Sequence, residues 1–144
     1  MKSIKLAALA LLSVAGCATA GHEDNPPKLS DREARALARA LEGKVAGPPV
    51  ACVSRVIGTD GLQPISDSIL IYRINRNLTY RNNLNGSCSG IASGNTLVLE
   101  PKVDQFCRGD IARSVDLTTR MQVGSCALGD FIPYRTQGTG PAGS

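Results

Sequence analysis

The chain has 144 residues, 42% of them hydrophobic, with 16 basic against 12 acidic side chains and a formal charge of +4. That length holds one small domain plus tails, and so slight a charge excludes a nucleic-acid binder that works through the phosphates. Aromatic residues make up 3% with no Trp, so the core must be aliphatic and stacking platforms for bases or sugars are scarce.

Met1 is followed by Lys2 and Lys5, an apolar run from Leu6 to Leu12, and then Ser13-Val14-Ala15-Gly16-Cys17. A basic start, a short apolar centre and small residues predict a secretory signal peptide over 1–16, since a bilayer span needs about 20 apolar residues. Val14-Ala15-Gly16-Cys17 resembles a bacterial lipobox, in which cleavage precedes the cysteine and its thiol carries a diacylglycerol. The resemblance implies that Cys17 is lipidated and anchors the chain to a membrane. An odd fifth thiol in an exported protein needs its own explanation, and lipidation supplies one. Ala18 in place of aspartate resembles lipoproteins sent on to the outer membrane. The expected location is the bacterial cell envelope, at the outer membrane facing the periplasm. Lys2 and Lys5 leave with the signal, so the excess of basic over acidic residues falls to about +2.

Residues 17–29 read as a tether, polar and proline-bearing, with a reach of roughly 20 Å. The single histidine, His22, lies in it, which leaves the folded part without the commonest general base. Ser30-Asp31-Arg32-Glu33 spells a capping box and predicts a helix over 31–42. Ala34, Leu37, Ala38 and Leu41 form its apolar stripe, Asp31 can pair with Arg35, and Gly43 suits the left-handed position past its end. So narrow a stripe suits docking on a sheet edge. Arg32, Arg35 and Arg39 lie on another face, solvated or turned toward anionic lipid.

Gly47-Pro48-Pro49 ends helical propagation and leads into a first strand, 50–57. Gly58 to Pro64 reads as a loop, and 68–74 is the strongest strand signal, expected to be central. Asn75-Arg76-Asn77 offers residues that tolerate positive φ, with a hairpin return over 78–83. Asn77-Leu78-Thr79 and Asn85-Gly86-Ser87 match the glycosylation pattern, by chance in a bacterial chain. A turn over 85–90 precedes a strand at 96–100. Arg108-Gly109-Asp110 matches an adhesion tripeptide but reads as a turn. Weaker strands follow at 111–117 and 121–123. The stretch 129–135 reads as a closing edge strand, because Pro133 has no N–H for a central ladder. Residues 136–144 are expected to form a disordered tail.

Cys52, Cys88, Cys107 and Cys126 are separated by 35, 18 and 18 residues. None forms the close C-x-x-C pair that usually presents two sulfurs to one zinc ion, so two disulfides are expected and no metal site or cofactor. All three connectivities are open on sequence. The elements together predict a mainly β fold, a small antiparallel rolled sheet or barrel over 30–135 with one N-terminal helix, stabilised by disulfides.

The run 37–47, Cys52, Ile69-Leu70-Ile71-Tyr72, Phe106-Cys107-Arg108-Gly109-Asp110 and the ending Leu128-Gly129-Asp130-Phe131-Ile132-Pro133-Tyr134-Arg135 resemble a family of small, uncharacterised exported proteins of proteobacteria. No activity or cofactor comes with that resemblance. It implies a pairing, Cys52–Cys107 and Cys88–Cys126, because relatives can carry the first pair alone.

Catalysis would have to rest on carboxylates. Asp104, Asp110 and Asp116 cluster along the chain and Asp60 and Asp67 flank a loop, but a hydrolase needs two that converge across a cleft. Turn-forming aspartates are the plainer expectation. Between Asp67 and Glu100 lie Arg73, Arg76 and Arg81 with no acid. Such a set could hold phosphate or carboxylate of an envelope glycan or of a protein partner. The expected function is therefore non-catalytic binding or scaffolding in the envelope. The alternatives are a carboxylate hydrolase and a periplasmic inhibitor of another protein.

Overall fold

A computed structural model of the chain describes residues 27–100 and 104–138. The expected signal peptide, Cys17, the expected tether before Pro27 and the expected tail after Gly138 lie outside the described residues.

Helix α1, Asp31–Leu41, starts where the capping box places it. The Ser30 N–H donates to Glu33 Oε2 at 2.7 Å, and the Glu33 N–H donates to Ser30 Oγ at 3.3 Å. Gly43, at φ 68°, turns the chain out of the helix. The inward stripe is rotated from the expected one. Ala40 is buried and Ala36, Leu37 and Leu41 half-buried, whereas Ala34 and Ala38 are exposed. Alanines flank the Leu37/Leu41 ridge on both sides, so the pattern did not decide which flank faces inward. The neighbouring sheet edge decides it. No ion pair forms between Asp31 and Arg35; the two ion pairs among the described residues lie elsewhere.

Ten strands follow: β1 Lys44–Ala46, β2 Cys52–Ser54, β3 Leu62–Ser66, β4 Ile69–Asn75, β5 Leu78–Asn83, β6 Thr96–Leu99, β7 Gln105–Cys107, β8 Ile111–Asp116, β9 Met121–Ala127 and β10 Phe131–Thr136. They form a five-stranded sheet in the order β1-β10-β5-β4-β3, a three-stranded sheet β6-β8-β9 and a pair β2-β7. Every pairing is antiparallel, and the sheets do not close into a barrel. The helix docks beside β3, an edge of the large sheet.

The main core lies between the large sheet and the two smaller ones. Leu70, Tyr72 and Phe131 meet Val53, Phe106, Ala112 and Cys126 there, with Leu84, Cys88, Ile91 and Leu128 from the connections. The scarce aromatics gather at this seam, Tyr72 edge-on to Phe106 at 5.6 Å and Tyr80 to Phe131 at 6.3 Å between centroids. The Tyr72 hydroxyl accepts from the Val56 N–H at 2.8 Å and donates to the Ser54 carbonyl at 3.3 Å, tying the end of β2 to the large sheet.

Cys52 is bonded to Cys107 and Cys88 to Cys126, the pairing that the resemblance implied. Cys52 and Cys107 stand directly opposite each other on β2 and β7, with Cα atoms 4.1 Å apart. Cys88 ties the turn after β5 to β9, and both of its sulfur-bearing residues are buried.

Several expected boundaries move. The loop before Pro64 contains β3, and Pro64 is tolerated because β3 is an edge with a register shift at that point. The first strand shrinks to Cys52–Ser54, for the chain bends at Val56, whose carbonyl accepts from the Thr59 N–H, and Ile57 is left fully exposed. The hairpin turn uses no positive φ. Asn75 Oδ1 instead accepts from the N–H groups of Asn77 and Leu78, at 2.8 and 2.9 Å. Strand β9 runs on to Ala127, paired with β8 throughout. Strand β10 reaches Thr136 and is no edge, because β1 covers it. The N–H of Phe131 points to Val50, so the nitrogen of Pro133, two residues on, faces the same side at Gly47, beyond the end of β1. The missing donor thus falls in the gap between β1 and Val50.

Candidate functional site

The three arginines come from one hairpin but do not form one cluster. Arg73 on β4 stands opposite Thr79, and Arg81 on β5 stands between Ile71 and Ile132. Alternation along paired strands puts Arg73 and Arg81 on one face as diagonal neighbours, about 7–8 Å apart. Arg76 sits in the turn at the hairpin tip, exposed like Arg73. None of the three takes part in an ion pair among the described residues.

Arg81 lines an open cleft of about 640 Å³ bordered also by Ser68, Asn85, Arg108, Asp130 and Ile132. Arg81 is half-buried, and its Nε donates to Asn83 Oδ1 at 2.9 Å. Across the cleft one terminal nitrogen of Arg108 bonds both oxygens of Asp130, at 3.1 and 3.2 Å.

A buried amide holds the wall of this cleft in place. Asn82 Nδ2 donates to the Gly129 carbonyl at 2.8 Å, and its Oδ1 accepts from the Gly129 N–H at 3.0 Å. That exchange replaces the backbone pairing the chain lacks as it enters β10, and satisfies polar groups with no access to water. It also demands glycine, since a Cβ at position 129 would run into the Asn83 carbonyl. Sequence reading missed Asn82, Asn83, Asn85, Gly129 and Asp130. The Asn-rich stretch was visible within the hairpin return over 78–83, but only the approach of Gly129 shows what Asn82 and Asn83 do.

Asp67, Asp110 and Asp116 serve turns. Asp67 accepts from the N–H groups of Gly90 and Ala92 at 2.9 and 3.1 Å, fastening the turn that carries Cys88. Asp110 accepts from the Cys107 N–H at 2.8 Å within the Arg108-Gly109-Asp110 turn, where Gly109 takes φ 89°. Asp116 accepts from Thr118 and Thr119, and these backbone N–H groups hold its carboxyl below the usual aspartate range. Asp110 and Asp116 lie beyond and at opposite ends of β8, about 20 Å apart at the rise of a strand. A carboxylate pair for glycoside hydrolysis needs them within about 10 Å, so these two do not make one. Asp60 and Asp104 are exposed. Among the described residues no group of three or more His, Cys, Asp or Glu could hold a metal ion.

No curated protein and no solved structure matches the chain. A family model described as "Family of unknown function (DUF6491)" matches residues 1–127, and the chain belongs to that family.

Proposed function

We propose that the protein is a lipid-anchored binding or scaffolding domain of the bacterial cell envelope, held through Cys17 at the outer membrane and facing the periplasm. The observation that carries this reading is the cysteine arithmetic: four of the five cysteines are spent in two disulfides. Disulfides persist in an oxidising compartment, and the apolar run at Leu6 to Leu12 would take the chain there. The cysteine left over, Cys17, stands at the end of the small-residue stretch where an anchor would be made. One acyl chain attaches only marginally, so the two or three of a mature lipoprotein are what give lasting attachment.

The binding surface in this reading is the β4–β5 hairpin. Arg73, Arg76 and Arg81 carry charge that no described carboxylate compensates, which suits an anionic glycan or protein partner. Cys17→Ser is expected to abolish incorporation of labelled fatty acid and to move the protein from the membrane to the soluble periplasmic fraction. A wild type that takes up no label, with a variant that still fractionates with membranes, would sink the anchor.

A further inference from the structure

Arg81 differs from the exposed Arg73 and Arg76 in being half-buried and pre-positioned. Its Nε is occupied by Asn83 Oδ1 at 2.9 Å, which fixes the plane of the guanidinium and leaves the two terminal nitrogens as an open fork. Such a fork matches the two oxygens of a carboxylate. Among the described residues the charged groups bordering the cleft are Arg81, Arg108 and Asp130, and Arg108 and Asp130 pair with each other at 3.1 Å. Among the described lining residues that leaves one positive charge, a match for a single negative charge. The volume of about 640 Å³ falls within the range of small-molecule sites. Ser68 and Asn85 supply hydroxyl and amide groups along the rim, and no aromatic residue borders the cleft.

We infer that the Arg81 cleft binds a monoanionic carboxylate carried by a small molecule rich in hydroxyl and amide groups. This deepens the envelope-binding reading and rests on it.

The test titrates purified full-length protein in detergent with three sugars, followed by calorimetry. N-acetylmuramic acid and N-acetylglucosamine share a ring and differ by a carboxylate-bearing ether, and N-acetylglucosamine 6-phosphate offers a phosphate instead. The carboxylate sugar is expected to bind more tightly than either of the others, by about tenfold over the neutral one, as a charge-assisted fork contributes. Arg81→Gln and Asn83→Asp, the latter placing a carboxylate on the guanidinium, should each weaken it by about tenfold, with melting temperatures verifying that both fold. Arg76→Gln should leave it unchanged. Equal binding of acid and neutral sugar, tighter binding of the phosphate, no binding of any of the three, or an Arg81→Gln variant with unaltered affinity would each overturn the assignment. If Arg73→Gln and Arg76→Gln lose the acid while Arg81→Gln keeps it, the cleft falls but the anion-binding hairpin stands.

Discussion

The large sheet and the two small ones are held by different means. In the five-stranded sheet, Ile69 to Tyr72 of β4 are at most 1% exposed, β4 and β5 pair along their whole length, and no disulfide links two of its strands. The pair β2–β7 has three residues a strand, and the outer face of β6-β8-β9 leaves Val98 and Ile111 exposed. Three of the four bonded cysteines lie in these small sheets, and the fourth lies in the turn joining them to β5. One bond, Cys52–Cys107, crosses the shortest ladder at an exposed rim, and the other, Cys88–Cys126, ties the three-stranded sheet to the turn after β5 from within the core. On this contrast the second layer is expected to depend on its disulfides and the first to stand without them.

The sharpest way to break that contrast is to remove the bonds one at a time. The loops closed by Cys88–Cys126 and Cys52–Cys107 span 38 and 55 positions, and chain entropy gives each about 4 kcal/mol. Burial separates them. Cys88 and Cys126 are 0% and 5% exposed whereas Cys52 lies open on the rim, so Cys88→Ala with Cys126→Ala also leaves a cavity in the core. Denaturant unfolding is expected to show the larger loss for that double variant, and an equal or smaller one would contradict the burial argument.

Within the large sheet the weak point is a glycine. Gly129→Ala should cost about 3 kcal/mol, because the methyl meets backbone and breaks the exchange with Asn82; thermal melting measures it. Ser30→Ala removes the cap of α1 and should cost about 1 kcal/mol. Ser30 also lowers the Glu33 carboxyl, through its hydroxyl first and then its N–H. A lowered folded value means that this contribution is complete above the ordinary glutamate value of 4.5 and is lost as pH falls through the folded one. The difference between wild type and Ser30→Ala should therefore shrink in acid. One change of that size runs the other way. The Thr79 hydroxyl is buried with no partner among the described residues, so Thr79→Val should raise stability by about 1 kcal/mol.

Local chemistry was legible from the chain: the capping box at Ser30, the glycine past α1, the buried strand β4 with its hairpin return β5, and the turns at Asn85 and Gly109. Features that depend on a neighbour were not. Pro133 argued for an edge, since nothing in the sequence says that its missing donor would fall opposite Gly47. Gly58, Gly61 and Pro64 hid β3, which survives as an edge beside β4. Arg73, Arg76 and Arg81 were legible as a charge pattern, yet which of them lines a cleft depends on the distant stretch Gly129 to Ile132. Asn82 shows the same limit, for its partner lies 47 residues away.

Amide hydrogen exchange of the native protein, with and without a reductant, tests the contrast most directly. Reduction is expected to release the amides of β2, β7, β8 and β9 while those of β4, β5 and β10 keep their protection, since local openings follow the stability of each unit. Loss of protection in all ten strands together would mean a single cooperative unit that depends on its disulfides everywhere, and the division between the two layers would be wrong.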